Sequence, residues 1–219
     1  MHIIIINSTP HLTQYSNTAK IVNTFKEGCE SADATVEVFH LCNQKQYNEA
    51  KIAFLKNENI VFALPVYVGI VPSLFKKFIE ELSVVSSPTK EKRKQKISYI
   101  LQSGYPEASQ RTCCEKYLAS FTEHLDCYFA GILSHGIDYG MIENKSFLDL
   151  LQMYKDFGVE YIEHNASFHF DEAKLFNGLE YLTDNEAEKF TRYFNFLCRF
   201  NAREIGKEDS LYDKPYEPH

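Results

Sequence analysis

Three stretches hold the residue types that could do chemistry, and each follows a run of apolar residues. The first is Asn7-Ser8-Thr9-Pro10-His11, which runs on to Ser16-Asn17-Thr18. Small hydroxyl and amide side chains ahead of a helix-period segment form a compact anion cradle. The first N–H groups of a helix lack intrahelical partners, and they carry the positive end of its dipole. The same residues would also serve as an ordinary N-cap, so this stretch alone leaves both readings open. His11 could stand protonated against a phosphate or simply be solvated.

The second stretch is Pro65-Val66-Tyr67-Val68-Gly69-Ile70-Val71-Pro72. It is apolar, aromatic and stiffened by prolines around a glycine. Such a loop is either buried under another element or built to lie against a flat ligand. Gly69 would let the backbone approach that ligand closely. The third stretch is Ser103-Gly104-Tyr105-Pro106-Glu107. Tyr105 suits stacking on a ring or plugging the loop, and Glu107 suits the first turn of a helix.

Several chemistries lack their residues. The sequence has no G-x-G-x-x-G, no G-x-x-x-x-G-K, no H-E-x-x-H and no G-x-S-x-G, which disfavours a dinucleotide turn, a P-loop, a zincin and a serine hydrolase. His135, His164 and His169 lie apart without metal-ligand spacing. No metal, catalytic acid, base or nucleophile is therefore expected. Six cysteines are scattered without a C-x-x-C pair or a ferredoxin-like cluster, which reads as reduced thiols in a cytoplasmic protein. The adjacent Cys113 and Cys114 read as helix thiols rather than a redox pair. The formal charge of −7, from 30 acids against 23 bases, argues against nucleic acid. Met1–Ile6 is too short and uncharged for a signal peptide, and the apolar stretch 60–75 is too short and proline-broken for a membrane span.

The elements that must position these stretches alternate in type. Strands are predicted at Ile3–Ile6, Thr35–Leu41, Asn59–Leu64, Ile97–Gln102 and Asp126–Leu133, the first and third apolar throughout, as suits strands buried on both faces. Helices are predicted at Asn17–Cys29, Tyr47–Leu55, Val71–Leu82 with Pro72 in its first turn, and Pro106–Leu125. The basic stretch Lys90–Lys96 reads as a solvated turn. Helices at Leu148–Phe157 and Glu186–Phe200 follow, the latter with Phe190, Tyr193, Phe194 and Leu197 on one side. Residues 1–205 are grouped as one domain, with a core of 1–135 and a helical extension of 136–205, and 206–219 form an irregular tail. The alternation predicts a doubly wound α/β sheet with helices on both faces. Its order is either the dinucleotide-binding one or 2-1-3-4-5, and ligands of such sheets sit beyond the strand C-termini at the switch point.

Together the three stretches resemble the NAD(P)H-dependent FMN reductases of the flavodoxin-like oxidoreductases. Asn7-Ser8-Thr9-Pro10-His11 with Ser16-Asn17-Thr18 is similar to that family's G-S-P-R…S-N-T phosphate loop. Asn7 stands in place of a glycine, and no arginine follows Pro10. Pro65, Tyr67, Gly69 and Pro72 match a P-x-Y-x-G…P segment, Ser103–Glu107 match S-G-F/Y-P-E, and Tyr212-Asp213-Lys214-Pro215-Tyr216 resemble a K-P-Y tail. The resemblance covers residues 1 to about 135 well and the rest loosely. It implies the flavodoxin-like order 2-1-3-4-5, FMN as cofactor and NAD(P)H as hydride donor. Ser8, Pro10, Ser16, Asn17 and Thr18 would then hold the phosphate. Pro65, Val66, Tyr67, Val68 and Gly69 would line one edge and face of the isoalloxazine, with N–H groups of Val68 or Gly69 toward N5 and O4. Ser103, Gly104 and Tyr105 would close the other edge. The implied activity is reduction of a quinone, flavin or similar small acceptor by a homodimer. A flavodoxin-type electron carrier and an FMN-free α/β interaction domain are the alternatives.

Overall fold

Four isoleucines in a row, Ile3–Ile6, are fully buried, because their strand has helices on both sides. The computed structural model describes residues 1–11, 16–85, 95–136, 147–169 and 178–212. The strands β1 (His2–Asn7), β2 (Thr35–His40), β3 (Asn59–Val66), β4 (Lys96–Ser103) and β5 (Tyr128–Gly136) form one parallel sheet of order β2-β1-β3-β4-β5. This is the order 2-1-3-4-5. The helices are α1 (Asn17–Ser31), α2 (Gln44–Lys56), α3 (Ser73–Val85), α4 (Ser109–His124), α5 (Phe147–Glu163) and α6 (Asp184–Glu204), with a 3-10 helix over Glu208–Tyr212.

The period of two along each strand sorts the core into two layers. Ile4, Ile6, Phe62, Leu64, Tyr99 and Leu101 face α2, α3 and α4, where Phe54, Phe75, Phe78 and Leu118 meet them. Ile3, Ile5, Val61, Ala63 and Ile100 face α1 and α5, against Phe25, Val22, Tyr154 and Tyr161. Helices α1 and α5 cross at a glycine contact. A Cβ on Gly28 would lie 2.0 Å from the Lys155 carbonyl oxygen, and one on Gly158 would lie 2.4 Å from that of Phe25.

Element boundaries differ from the sequence-based expectation where tertiary contacts intervene. Helix α4 starts at Ser109 rather than Pro106. The N–H groups of Ala108 and Ser109 donate outward to the carbonyls of Leu179 and Glu180, and the Glu107 carbonyl accepts from Arg111 Nη1. Pro72 lies just ahead of α3, where its carbonyl accepts from Lys76 N–H, rather than inside the first turn. Strand β5 starts at Tyr128, because Asp126, at φ 57°, and Cys127 turn back onto the end of α4. The basic stretch falls largely outside the described residues, as do 213–219 of the tail motif.

The chain divides into compact units Met1–Tyr181 and Leu182–His219. This division does not coincide with the boundary after 205 read from the sequence. In the second unit, Thr183 begins α6 with a capping box to Glu186. Arg203 and Glu208 pair at 2.9 Å where the 3-10 helix follows. Among the described residues no helix is long and apolar enough to cross a membrane.

Candidate functional site

Strand β1 lies between β2 and β3, and its pairing with β3 ends at Asn7 and Ala63. Beyond that point the chain turns away. Asn7 drives the turn, its buried side-chain Oδ1 accepting from Thr9 N–H at 3.0 Å. That fixes the amide so that Nδ2 faces His40 Nδ1 at 3.3 Å. The histidine nitrogen must then be the acceptor, and the ring is neutral with its proton on Nε2. Burial lowers the His40 pKa from its ordinary value, which suits that state.

Ser16 caps α1, its Oγ accepting from Ala19 N–H at 3.1 Å and donating to Thr9 Oγ1 at 3.1 Å. One orphan donor of the first turn is thereby taken, and the N–H groups of Asn17 and Thr18 remain for a ligand. Thr18 Oγ1 donates to Gln102 Oε1 at 3.1 Å, joining the mouth of α1 to the end of β4. Gln102 keeps its amide N–H groups for other acceptors.

The apolar side of the site begins inside the sheet. Pro65 and Val66 belong to β3, paired with Gln102 and Ser103. A proline near the middle of a sheet would normally orphan a partner. Here the Ala63 carbonyl accepts from Ser8 N–H on the β1 side. Pro65, two residues on, faces the same side, where β1 has already left. Its missing N–H therefore costs no ladder bond. Tyr67 and Ile70 then exchange both backbone hydrogen bonds at 3.1 Å around Val68 (φ 50°) and Gly69 (φ 77°). Two positive φ values in a two-residue loop are the type I′ pattern. Gly69 suits it, whereas a β-branched residue there is strained. The tip is uncovered: Val68 is 87% and Tyr67 43% exposed.

Opposite lies the third stretch. Ser103 Oγ donates to the Tyr105 carbonyl at 2.8 Å, and Tyr105 is 51% exposed. Beneath it the wholly buried Arg111 donates from Nε to Ser134 Oγ at 2.9 Å. Its Nη1 donates to Ser103 Oγ and to the carbonyls of Tyr105 and Glu107, each at 3.1 Å.

These walls enclose a cleft of about 450 Å³ lined by Thr9, His11, Ser16, Asn17, Thr18, Pro65, Val66, Tyr67, Val68, Gln102, Gly104 and Tyr105. Of the residues expected from sequence, Ser16, Asn17, Thr18, Pro65–Val68, Gly104 and Tyr105 meet here. Ser8 does not line it, because its Oγ is committed to the Ala63 carbonyl at 3.3 Å. Pro10 is exposed outside it, Gly69 forms the turn behind Val68, and Ser103 is buried beneath Tyr105. Thr9 and Gln102 line the cleft without having been expected, although each is a polar residue at a strand's C-terminal edge. Asn7 and Arg111 act from behind, where only the folded contacts reveal them.

The cleft's chemistry is that of binding. Among the described residues its lining holds no carboxylate, lysine, arginine or cysteine. The Tyr67 phenol is pushed up by burial and stays neutral near pH 7. Hydroxyls and helix N–H groups cluster at one end, and an uncovered apolar ledge lies at the other. That donor set fits a phosphomonoester joined to a planar ring. Among the described residues no group of His, Cys, Asp and Glu could hold a metal ion. None of the six cysteines is in a disulfide, Cys113 is exposed and Cys114 buried, and burial raises the Cys29 and Cys114 thiols to about 12.

A family model described as the flavodoxin-like fold matches residues 1–123. No curated protein matches the chain. Among solved structures, an FMN-dependent NADH-azoreductase from Bacillus anthracis str. Ames Ancestor, in complex with FMN, is 16% identical over 76% of this chain and 100% of its own, with a TM-score of 0.58. An NADPH-quinone reductase from P. pentosaceus is 17% identical over 72% of this chain and 98% of its own, at 0.53. A flavone reductase is 13% identical over 77% and 66%, at 0.54.

Proposed function

Since the chain belongs to the flavodoxin-like fold family, we propose that it is an FMN-dependent oxidoreductase, using NAD(P)H to reduce a quinone, flavin or similar small acceptor. The observation that carries this reading is the junction, within one cleft at the switch point, of a hydroxyl-rich helix mouth and an exposed apolar ledge. The azoreductase holding FMN and the quinone reductase, alike in fold, support it.

In this reading Thr9, Ser16, Asn17, Thr18 and the first N–H groups of α1 hold the phosphate. Gln102, anchored by Thr18, offers its amide to the chain between phosphate and ring. Pro65–Val68 and Tyr105 receive the ring on two sides and keep water from it. Bound there, FMN would supply the hydride and electron transfer between the nicotinamide and the acceptor. No side-chain acid or base is then needed. The free cysteines suit a cytoplasmic protein. The exposed Tyr67–Ile70 tip and the exposed Phe194, Phe196 and Phe200 suit a homodimer.

The test is a visible spectrum of the purified protein with added FMN, followed by anaerobic titration with NADH and NADPH. Flavin absorbance that bleaches at a useful rate is expected. A flavin that binds but is not reduced by either nucleotide would favour a flavodoxin-type carrier, and no uptake at all would sink the cofactor assignment. Light scattering at micromolar concentration should give a dimer mass, and monomer alone would count against that state.

A further inference from the structure

The buried amide of Asn7 has its two ends committed in opposite senses. Oδ1 accepts from Thr9 N–H at 3.0 Å, and Nδ2 donates to His40 Nδ1 at 3.3 Å. Asn7 and His40 are register partners across β1 and β2, so their side chains share one face of the sheet. Thr9 in turn accepts at Oγ1 from Ser16 Oγ at 3.1 Å, and Ser16 caps α1. One line of hydrogen bonds therefore runs from His40 to the helix mouth. Thr9 lines the cleft, and no described group takes its hydroxyl proton. That proton is left for an anion at the mouth.

The charged groups on the elements around His40 are engaged elsewhere. On β2, Glu37 pairs with His2 at 2.8 Å. On α2, Lys45 lies 3.9 Å from Glu49, and the neutral Gln46 accepts from the His40 backbone N–H at 2.8 Å. On α1, the Lys20 ammonium lies over the Phe147 ring at 5.7 Å. Past the end of β2, the Cys42 thiol donates to the carbonyl of the exposed His11 at 3.7 Å. Burial, and no charged neighbour, lowers the His40 pKa.

A proton changes what the pair can do. The imidazolium carries N–H on both nitrogens, so Nδ1–H would meet Nδ2–H, donor against donor, where water is scarce. Turning the Asn7 amide over restores a bond to His40, but it sets Nδ2 against Thr9 N–H. The amide oxygen faces one neighbour or the other. We propose that the Asn7–His40 pair is a proton-sensitive latch on the phosphate end of the cleft: Asn7 positions Thr9 while His40 is neutral, and a proton on His40 releases Thr9 and weakens FMN binding. The proposal rests on the FMN reading above and adds a regulation of that site.

The experiment reads the Thr9 amide resonance without ligand, and the affinities for FMN and riboflavin, from about pH 8 to about pH 5. In wild type the Thr9 resonance should titrate, and in H40N it should not, because asparagine offers an acceptor in place of Nδ1 and takes up no proton. FMN affinity relative to H40N should fall about tenfold toward the acid end, the worth of one net hydrogen bond. Titration of the phosphate and of His11 is common to both proteins and cancels in that ratio. Riboflavin lacks the phosphate, and its ratio should stay within about twofold. N7A should bind FMN about tenfold more weakly than wild type near pH 8 and converge with it near pH 5. A Thr9 resonance that is flat in wild type, or that titrates equally in H40N, would overturn the proposal. So would an FMN ratio that stays level or rises, since the charge on His40 would then outweigh the latch, or a riboflavin ratio that falls as far. If H40N fails to fold, N7A decides: affinity equal to wild type near pH 8, or no convergence near pH 5, would overturn it. A wild type that takes up no FMN sinks the functional reading, while the Thr9 resonance still decides the latch.

Discussion

Ser16, Val68 and His40 each do a job that a single substitution can separate. Ser16 both caps α1 and faces the cleft. Ser16→Ala should cost about 1 kcal/mol of stability through the lost cap. It should also weaken FMN by about tenfold or more through a lost bond to a charged group. Thermal denaturation and a flavin-fluorescence titration read the two effects. Val68 pulls the other way. Glycine at φ 50° relieves strain worth about 1 kcal/mol, so Val68→Gly should raise the melting temperature slightly while weakening FMN by removing apolar cover. A variant that melts lower would show that the turn is not strained. His40 accepts from Asn7 only when neutral, and its folded pKa lies below the ordinary 6.5. The unfolded chain then binds more protons as pH falls through 6.5, so stability should be level above about pH 7 and decline below it toward the folded pKa. His40→Gln should flatten that decline in a series of melts across pH. Sequence alone suggested the hydroxyls and the ledge, because polar residues at a helix start and apolar residues in a loop are local signals. Asn7 and His40 meet across two strands, and nothing local to either predicts it.

At the scale of elements, patterning and tertiary contact divide the information. All five strands could be read from their apolar residues, the first and third as unbroken runs because both faces are buried, the edge strand β2 as alternation around the exposed Glu37. The third strand's true end could not: Pro65 looks like a terminator until β1 is known to have turned away at Asn7. The start of α4 was also hidden, since Pro106 and Glu107 look like a first turn, but the carbonyls of Tyr105 and Glu107 on either side of Pro106 accept from Arg111, and bonds to 179–180 follow. The α1–α5 crossing carries the clearest consequence for function. Helix α1 presents Ser16–Thr18 to the cleft, and its far half is seated on Gly158 through the Phe25 carbonyl. Gly158→Ala would drive a methyl into backbone, which has no rotamer to yield. We expect a loss of about 1–3 kcal/mol, with weaker FMN binding because the helix mouth shifts. A denaturant midpoint and an FMN titration would measure both, and wild-type affinity in a destabilised Gly158→Ala would show that the mouth is set by the loop rather than by the helix.

At the scale of the molecule, the cleft exists because the sheet's order reverses at β1. The connection after β1 leads to α1 on one face and that after β3 leads to α3 on the other, so their loops part and leave a crevice between them. Every described residue lining that crevice lies within Met1–Tyr181, as do Asn7 and Arg111 behind it. So do Leu179 and Glu180, whose carbonyls take up the N–H groups of Ala108 and Ser109 ahead of α4. In the second unit the aromatic helix was legible from the spacing of Phe190, Tyr193, Phe194 and Leu197. A chain ending at Tyr181 should therefore keep a cooperative melt and bind FMN within about threefold of the full chain. Saturating FMN at a hundred times its dissociation constant should stabilise both chains alike, by about 2.7 kcal/mol. Removing the exposed phenylalanines should instead tell in mass, with a dimer giving way to monomer by light scattering. If the shortened chain keeps its fold yet loses FMN, the second unit must complete the site, and the cleft cannot be the work of the sheet's switch point alone.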